Sequence, residues 1–145
     1  MDSLSKWEQL LGRIALGAIF VISALGKLAN WSGTAGYAAS KGVGGVALAV
    51  ATALELLGGI SVIVGYKTRW GALALLVFLV PVTLVFHHFW GLPADQQQQQ
   101  IVEFLKNLGL AGGLLLVLAH GAGAYSVDAR RAGAADPSLS TPAAR

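Results

Sequence analysis

The chain has 145 residues, of which 55% are hydrophobic and only 12% are charged. A soluble domain carries about 25% charged residues, so this deficit excludes an ordinary water-facing surface and indicates one that faces lipid. The net charge of +3 is modest, and the basic residues do not cluster with aromatics, which excludes a typical nucleic-acid-binding surface. Because there is no cysteine, this chain supplies no disulfide, no thiolate metal ligand and no thiol relay.

Four apolar stretches follow one another along the chain, and each is close to the ~20 residues that a helix needs to cross a bilayer. Alternating apolar and polar segments of about ten residues, which a membrane β-barrel would need, are not visible. The sequence therefore predicts an all-α membrane protein: an up-down bundle of four transmembrane helices in one domain, residues 1–130. The four stretches are Leu10–Leu28, Val46–Val64, Trp70–His88 and Phe104–His120.

Aromatic and basic residues at the segment ends predict the orientation. All four tryptophans lie at segment boundaries, where amphipathic rings prefer the headgroup zone. One predicted side carries Lys67, Arg69 and the Arg130–Arg131 pair, whereas the other carries chiefly Lys27 and Lys41. By the positive-inside rule, both termini lie in the cytoplasm. We therefore expect a multi-pass protein of the cell (inner) membrane, in contact with the lipid bilayer.

The first segment has an alternative interpretation as a cleaved signal peptide, because its uninterrupted apolar run is short and small residues follow it. That would leave three spans and put the remaining termini on opposite sides. Two polar regions are expected to lie outside the bundle. The Gln96–Gln100 run is expected to be a solvated loop or a frayed helix entrance, and residues 131–145 are expected to be a disordered tail.

Glycines are expected to set the helix packing, since small residues let membrane helices approach closely. The first segment offers Gly12 and Gly17, and the second offers Gly58 and Gly59. The fourth contains Gly109 and Gly113 in a G-x-x-x-G spacing, with Gly112 beside them. This spacing fits close packing within the bundle, and it also fits a homo-oligomer formed through the fourth helix.

Glu55 lies near the middle of the second segment, where a carboxylate costs roughly 2.5–3.5 kcal/mol to insert. Such a group must be paired, hydrogen-bonded or protonated. Two interpretations of Glu55 stay open: it is a neutral glutamate bonded to a neighbouring helix, or it is a charged, proton-accepting site. Arg13 and Lys27 lie on nearly the same face of the first segment. We expect Arg13 to snorkel to the cytoplasmic headgroups, and Lys27 to snorkel outward or to face the bundle.

Polar residues from the other segments fall at one depth, near the outer ends of three helices, and Glu55 approaches the same level from below. We therefore predict a pocket open toward the outer side, with Glu55 and His87 as candidate proton-handling groups. His87 is favoured over His88 because it lies deeper. The alternative is that these residues simply line the headgroup zone. The predicted ligand-binding residues are Lys27, Glu55, His87, Lys106 and Asn107.

Metal and haem sites are not predicted. His87 and His120 lie at opposite ends of their segments, about a membrane thickness apart, and cannot share one iron. The adjacent His87 and His88 lack the i, i+3 or i, i+4 spacing that would aim both rings at one metal.

Several stretches together resemble one known family. In order and spacing, residues from about Leu10 to Arg130 resemble the DoxX family of small four-span membrane proteins. Lys27, Glu55, His87 and Asn107 fit the recurring pattern of that family. The matching pieces are RIALGAIFVISALGKL (13–28), ELLGGISVIVGYKTR (55–69), FHHF (86–89), FLKNLGLAGGLLL (104–116) and GAGAYSVD (121–128).

The resemblance implies a link to membrane redox systems. One branch of the family is similar to a subunit of a thiosulfate:quinone oxidoreductase, another associates with redox-defence partners, and distant relatives include a eukaryotic cargo receptor. We therefore predict a subunit of, or accessory to, a quinone-linked redox system, with quinone as the candidate cofactor and a protein partner or a second copy of the chain. The alternatives are a non-catalytic scaffold subunit and a small-solute or proton transporter.

Overall fold

The structure, a computed structural model, describes residues 3–135, which form six α-helices. Four of them, α1, α3, α4 and α5, are long and apolar enough to cross a membrane. The predicted all-α architecture with four transmembrane helices is therefore confirmed. The helices are α1 (Ser3–Ala29), α2 (Trp31–Ser40), α3 (Gly45–Val64), α4 (Thr68–Phe86), α5 (Ala94–His120) and α6 (Val127–Ala135).

Three boundaries differ from those expected. The Gln96–Gln100 run is part of α5, which begins at Ala94 and not near Phe104. The loop after the first span contains the unpredicted helix α2. Residues 131–135 belong to α6, and the rest of the predicted tail lies outside the described residues.

Two glycine contacts bring the spanning helices together. α1 packs mainly on α3, α3 on α4, and α4 on α5, whereas α5 has only limited contact with α1. A Cβ added to Gly59 would lie 3.0 Å from the carbonyl oxygen of Gly17, and one added to Gly58 would lie 3.1 Å from that of Gly71. Backbones therefore touch at both interfaces, as small residues allow.

The glycines of α5 behave differently. A Cβ added to Gly109 would meet no atom of another helix within 4 Å, and one added to Gly113 would lie 3.3 Å from Leu16 of α1. Close packing of Gly109 within the bundle is therefore wrong, as it is for Gly12, which also has open space around it. The predicted homo-oligomer through α5 stays a prediction.

Arg13 is buried and does not snorkel, so that expectation is wrong. Only 3% of its surface is exposed. Its guanidinium donates hydrogen bonds to the carbonyl oxygens of Val62 at 3.1 Å, Ile63 at 3.4 Å and Tyr125 at 2.5 Å. The last carbonyls of a helix have no partner within it and carry partial negative charge. The end of α3 therefore supplies acceptors that make an inward orientation favourable.

Asp128 of α6 caps the start of α4. Its carboxylate accepts hydrogen bonds from the backbone N–H of Lys67 at 2.8 Å, the N–H of Thr68 at 2.9 Å and the Thr68 hydroxyl at 2.8 Å. Since Trp7 of α1 also lies against Tyr125, with ring centroids 4.9 Å apart, both described ends of the chain lie beside the α3–α4 turn. Placing this end in the cytoplasm stays a prediction.

Candidate functional site

A cavity of about 700 Å³ occupies the other end of the bundle, within the usual size range of ligand pockets. Its walls come from α1 to α5 and are mainly apolar. The structure brings all the predicted ligand-binding residues around this one cavity, whereas His88 is not part of its wall. The predicted residues in its wall are Lys27, Glu55, His87, Lys106 and Asn107.

Lys27 and Glu55 form an ion pair between α1 and α3. Lys27 Nζ donates to Glu55 Oε2 at 2.5 Å and to Ser23 Oγ at 2.8 Å, and it lies 5.5 Å from the centre of the Phe78 ring. The Glu55 side chain is 3% exposed and that of Lys27 is 25% exposed. Glu55 therefore faces the bundle interior and has a partner on a neighbouring helix, so its charged form is compensated.

Helix direction explains why these two side chains meet. Side chains in a helix lean toward its N-terminus. α1 and α3 run in opposite directions from their contact at Gly17 and Gly59. Lys27 therefore leans back toward that contact, while Glu55 leans away from it. Lys27 lies about 15 Å and Glu55 about 6 Å beyond the contact along their helices, so the two leaning side chains close the difference.

His87 is the C-cap of α4, and the helix ends at Phe86. Placing His87 and His88 within the helix was therefore wrong. The ring nitrogen Nδ1 of His87 lies 3.1 Å from Oε1 of Gln100 in α5. An amide oxygen only accepts hydrogen bonds, so this arrangement puts the proton on Nδ1 and leaves Nε2 with its lone pair. Nε2 is then the basic atom of the ring.

Lys106 and Asn107 occupy different positions in the cavity wall. Lys106 pairs with Glu103 one turn earlier on α5, and both side chains are substantially exposed, so this pair lies at the rim. Asn107 is buried, and its Nδ2 donates to Thr83 Oγ1 at 3.0 Å. Asn107 therefore links α5 to α4 and has a structural contact of its own.

Two parts of the site were missed by sequence reasoning. The helix α2 contributes Thr34, Tyr37 and Ala38 to the wall, and the Tyr37 ring lies 5.6 Å from that of Phe86. α2 therefore forms part of the wall at the end of the cavity that lies farther from Arg13. Gln100, the partner of His87, was read as part of a solvated glutamine run. The Pro93 N-cap and Asp95 in the first turn of α5 were the signals that this run is helical.

Metal binding has no support from side-chain clustering: among residues 3–135, no group of three or more His, Asp or Glu side chains comes together in a way that could hold a metal ion.

Comparisons with known proteins agree with this architecture. The DoxX family model matches residues 9–88. "Inner membrane protein YqjF" of Escherichia coli K12 is 33% identical over 128 residues, covering 88% of this chain and 95% of that protein. "Inner membrane protein YphA" of the same organism is 32% identical over 123 residues, covering 83% and 88%. "ER-derived vesicles protein ERV29" of Saccharomyces cerevisiae is 33% identical over 78 residues, only 25% of its length.

No solved structure matches the chain. The inner-membrane relatives and the four apolar helices agree with the predicted localisation as a multi-pass inner-membrane protein. The family match spans more than half of the chain, and the two bacterial relatives align over most of it. The chain therefore belongs to the DoxX family.

Proposed function

We propose that this protein is a quinone-binding subunit of a membrane redox system. The observation that carries the proposal is the Lys27–Glu55 ion pair in the wall of a mainly apolar cavity of about 700 Å³. A quinone has an apolar ring with two carbonyl oxygens that accept hydrogen bonds. Lys27 Nζ is a donor for one of these oxygens, and the apolar walls suit the ring.

Reduction of a quinone to a quinol consumes two electrons and two protons. Glu55 and His87 Nε2 are the proton-handling groups in this proposal, because both side chains belong to the cavity wall and each can hold a proton. In this proposal the electrons come from the redox centre of a partner protein. The predicted protein partner is thus part of the proposal.

A second candidate function is a non-catalytic scaffold. The observation that favours it is that two polar side chains of the cavity wall already have protein partners: Lys27 is bonded to Glu55, and Asn107 is bonded to Thr83. Such contacts fix the register of neighbouring helices without any ligand.

Quinone titration of the purified protein in lipid nanodiscs, followed by calorimetry, distinguishes the two functions. The scaffold predicts no binding. The quinone subunit predicts saturable binding that weakens about tenfold or more in Glu55→Gln, because a charge-assisted hydrogen-bond network is worth roughly 1.5–3 kcal/mol. Glu103→Gln is the matched control, since it removes a carboxylate from the rim pair with Lys106. Equal affinity in wild type and Glu55→Gln contradicts the proposed site.

A further inference from the structure

The cavity reaches the lipid-facing surface of the bundle between α3 and α4. Val50 of α3 and Val77 of α4 both belong to its wall, yet they are 55% and 58% exposed. A side chain in the wall of a closed chamber would be buried, as Phe78 is. The cavity therefore extends from the Lys27–Glu55 pair to an opening between these two helices.

The position of this opening is set by the packing of α3 and α4. Toward the Arg13 end, the Gly58–Gly71 contact seals the interface. Beyond this contact, Val50 lies about 140° around α3 from Glu55 and is exposed on the surface of the bundle. Val77 lies at the middle of α4, so the opening falls within the hydrocarbon layer that these helices cross.

At the end of the cavity farther from Arg13, Thr34, Tyr37 and Ala38 of α2 form part of the wall, and Tyr37 packs on Phe86 of α4. The exposed Lys106–Glu103 pair lies at the rim of this polar end. A ligand dissolved in the bilayer meets only apolar side chains at the opening between α3 and α4.

We infer that the ligand of this cavity is a long-chain amphiphile that enters from the bilayer, with its polar head at Lys27 and Glu55 and its chain passing between Val50 and Val77. The inference rests on the proposed function, and it names a quinone with an isoprenoid chain as the ligand class. The isoprenoid chain of the ligand stays in hydrocarbon throughout, so only the quinone head moves from the lipid into the cavity. Ile19 of α1 also belongs to the cavity wall, is 39% exposed and marks the alternative route that the test must exclude.

Nanodisc titrations with two quinones that share one headgroup, without a chain and with a long isoprenoid chain, test this route. Val50→Trp and Val77→Trp narrow the opening. We expect each substitution to weaken binding of the long-chain quinone about tenfold. This is the loss of affinity expected when roughly two methylene groups of the ligand are no longer buried. Binding of the bare headgroup should not change. Leu57→Trp on α3 and Leu73→Trp on α4 are matched controls, because both are exposed and outside the cavity wall.

The outcomes separate the two proposals. If the bare headgroup binds but the Val50 and Val77 variants match their controls, or if Ile19→Trp alone weakens the long-chain quinone, the route is wrong and the quinone site stands. If neither quinone binds the wild-type protein, both proposals fail.

Discussion

Lys27 Nζ lies 2.5 Å from Glu55 Oε2 and joins α1 to α3 through a contact that is almost wholly buried on the glutamate side. Removing one member of such a pair leaves a buried charge without a partner, which costs about 3–5 kcal/mol. We expect Lys27→Met to destabilise the protein toward the lower end of that range, because the Lys27 side chain is partly exposed. Reversible denaturation in mixed micelles measures the change.

The double variant Lys27→Met/Glu55→Met is the internal check on this interpretation. Replacing both charges with apolar side chains should restore most of the lost stability, since a buried ion pair contributes little beyond its apolar equivalent. Additive losses from the two substitutions would show that the residues do not act as a pair. Lys106→Met, at the exposed rim, should have little effect.

Arg13 should be sensitive even to a conservative change. Arg13→Met removes hydrogen bonds to Val62, Ile63 and Tyr125, and we expect a loss of about 2–4 kcal/mol, because each bond to a charged group contributes roughly 1.5–3 kcal/mol and the three are not additive. Arg13→Lys should recover only part of it, since an ammonium lacks the planar fork of donors. The same denaturation assay applies, with exposed Arg69→Met as the control. Full recovery in Arg13→Lys would indicate that the side chain reaches the headgroups instead.

The Asp128 cap predicts a pH dependence of stability. Burial alone would raise the pKa of Asp128, but the hydrogen bonds from Thr68 and Lys67 and the charge of Arg13 outweigh burial and hold the pKa below its usual value. A lowered folded-state pKa contributes stability that is present above the unfolded pKa, about 3.9, and is lost as pH falls through the folded pKa. We expect Asp128→Asn to be less stable at pH 7 and to lose less stability on acidification.

Thermal unfolding measured from pH 7 down to pH 3 tests this expectation. Asp95→Asn, at the start of α5 and away from the α3–α4 turn, is the control and should follow the wild type. Parallel pH profiles for Asp128→Asn and wild type would contradict the cap.

Gln100 should set the tautomer of His87. With Gln100 Oε1 3.1 Å from Nδ1, the neutral ring should carry its proton on Nδ1. Gln100→Leu removes the acceptor, so the Nε2-protonated form, which dominates in free imidazole side chains, should reappear. Nitrogen-15 NMR of the neutral His87 ring distinguishes the two forms by chemical shift. Gln99→Leu, an exposed neighbour, should leave the wild-type spectrum unchanged, and an unchanged spectrum in Gln100→Leu would show that Gln100 does not position the ring.

Replacing Gly59 with a larger residue should lower the stability of the protein, whereas the same replacement at Gly109 should not. Gly59→Leu places a side chain against the backbone of Gly17, so α1 and α3 must separate and the Lys27–Glu55 pair should weaken with them. We expect a loss of stability comparable to that of Lys27→Met. Gly109→Leu meets open space and should be tolerated by the monomer. If the predicted homo-oligomer forms through α5, Gly109→Leu should shift its dissociation, which cross-linking in liposomes would reveal.

The depth of each polar residue within the membrane allowed the cavity to be predicted from the sequence. The contacts of Arg13 could not be predicted, because they depend on backbone acceptors that exist only in the folded protein. The polar residues of the wall could be placed together because each lies at a known distance from the end of an apolar segment. The buried position of Arg13 could not be predicted in this way, because its acceptors are backbone carbonyls. These carbonyls become available only where α3 ends and where the chain returns at Tyr125. α2 was missed because its small residues lack the apolar periodicity that marks a helix.

The Arg13 contact also bears on how the chain is made. Tyr125, whose carbonyl receives the shortest of the three bonds, follows Arg13 by 112 residues. The first span therefore enters the membrane with a cation that lacks its full set of acceptors until the last span has been synthesised. A chain that stops before Tyr125 therefore leaves one of the bonds of this buried guanidinium unmade.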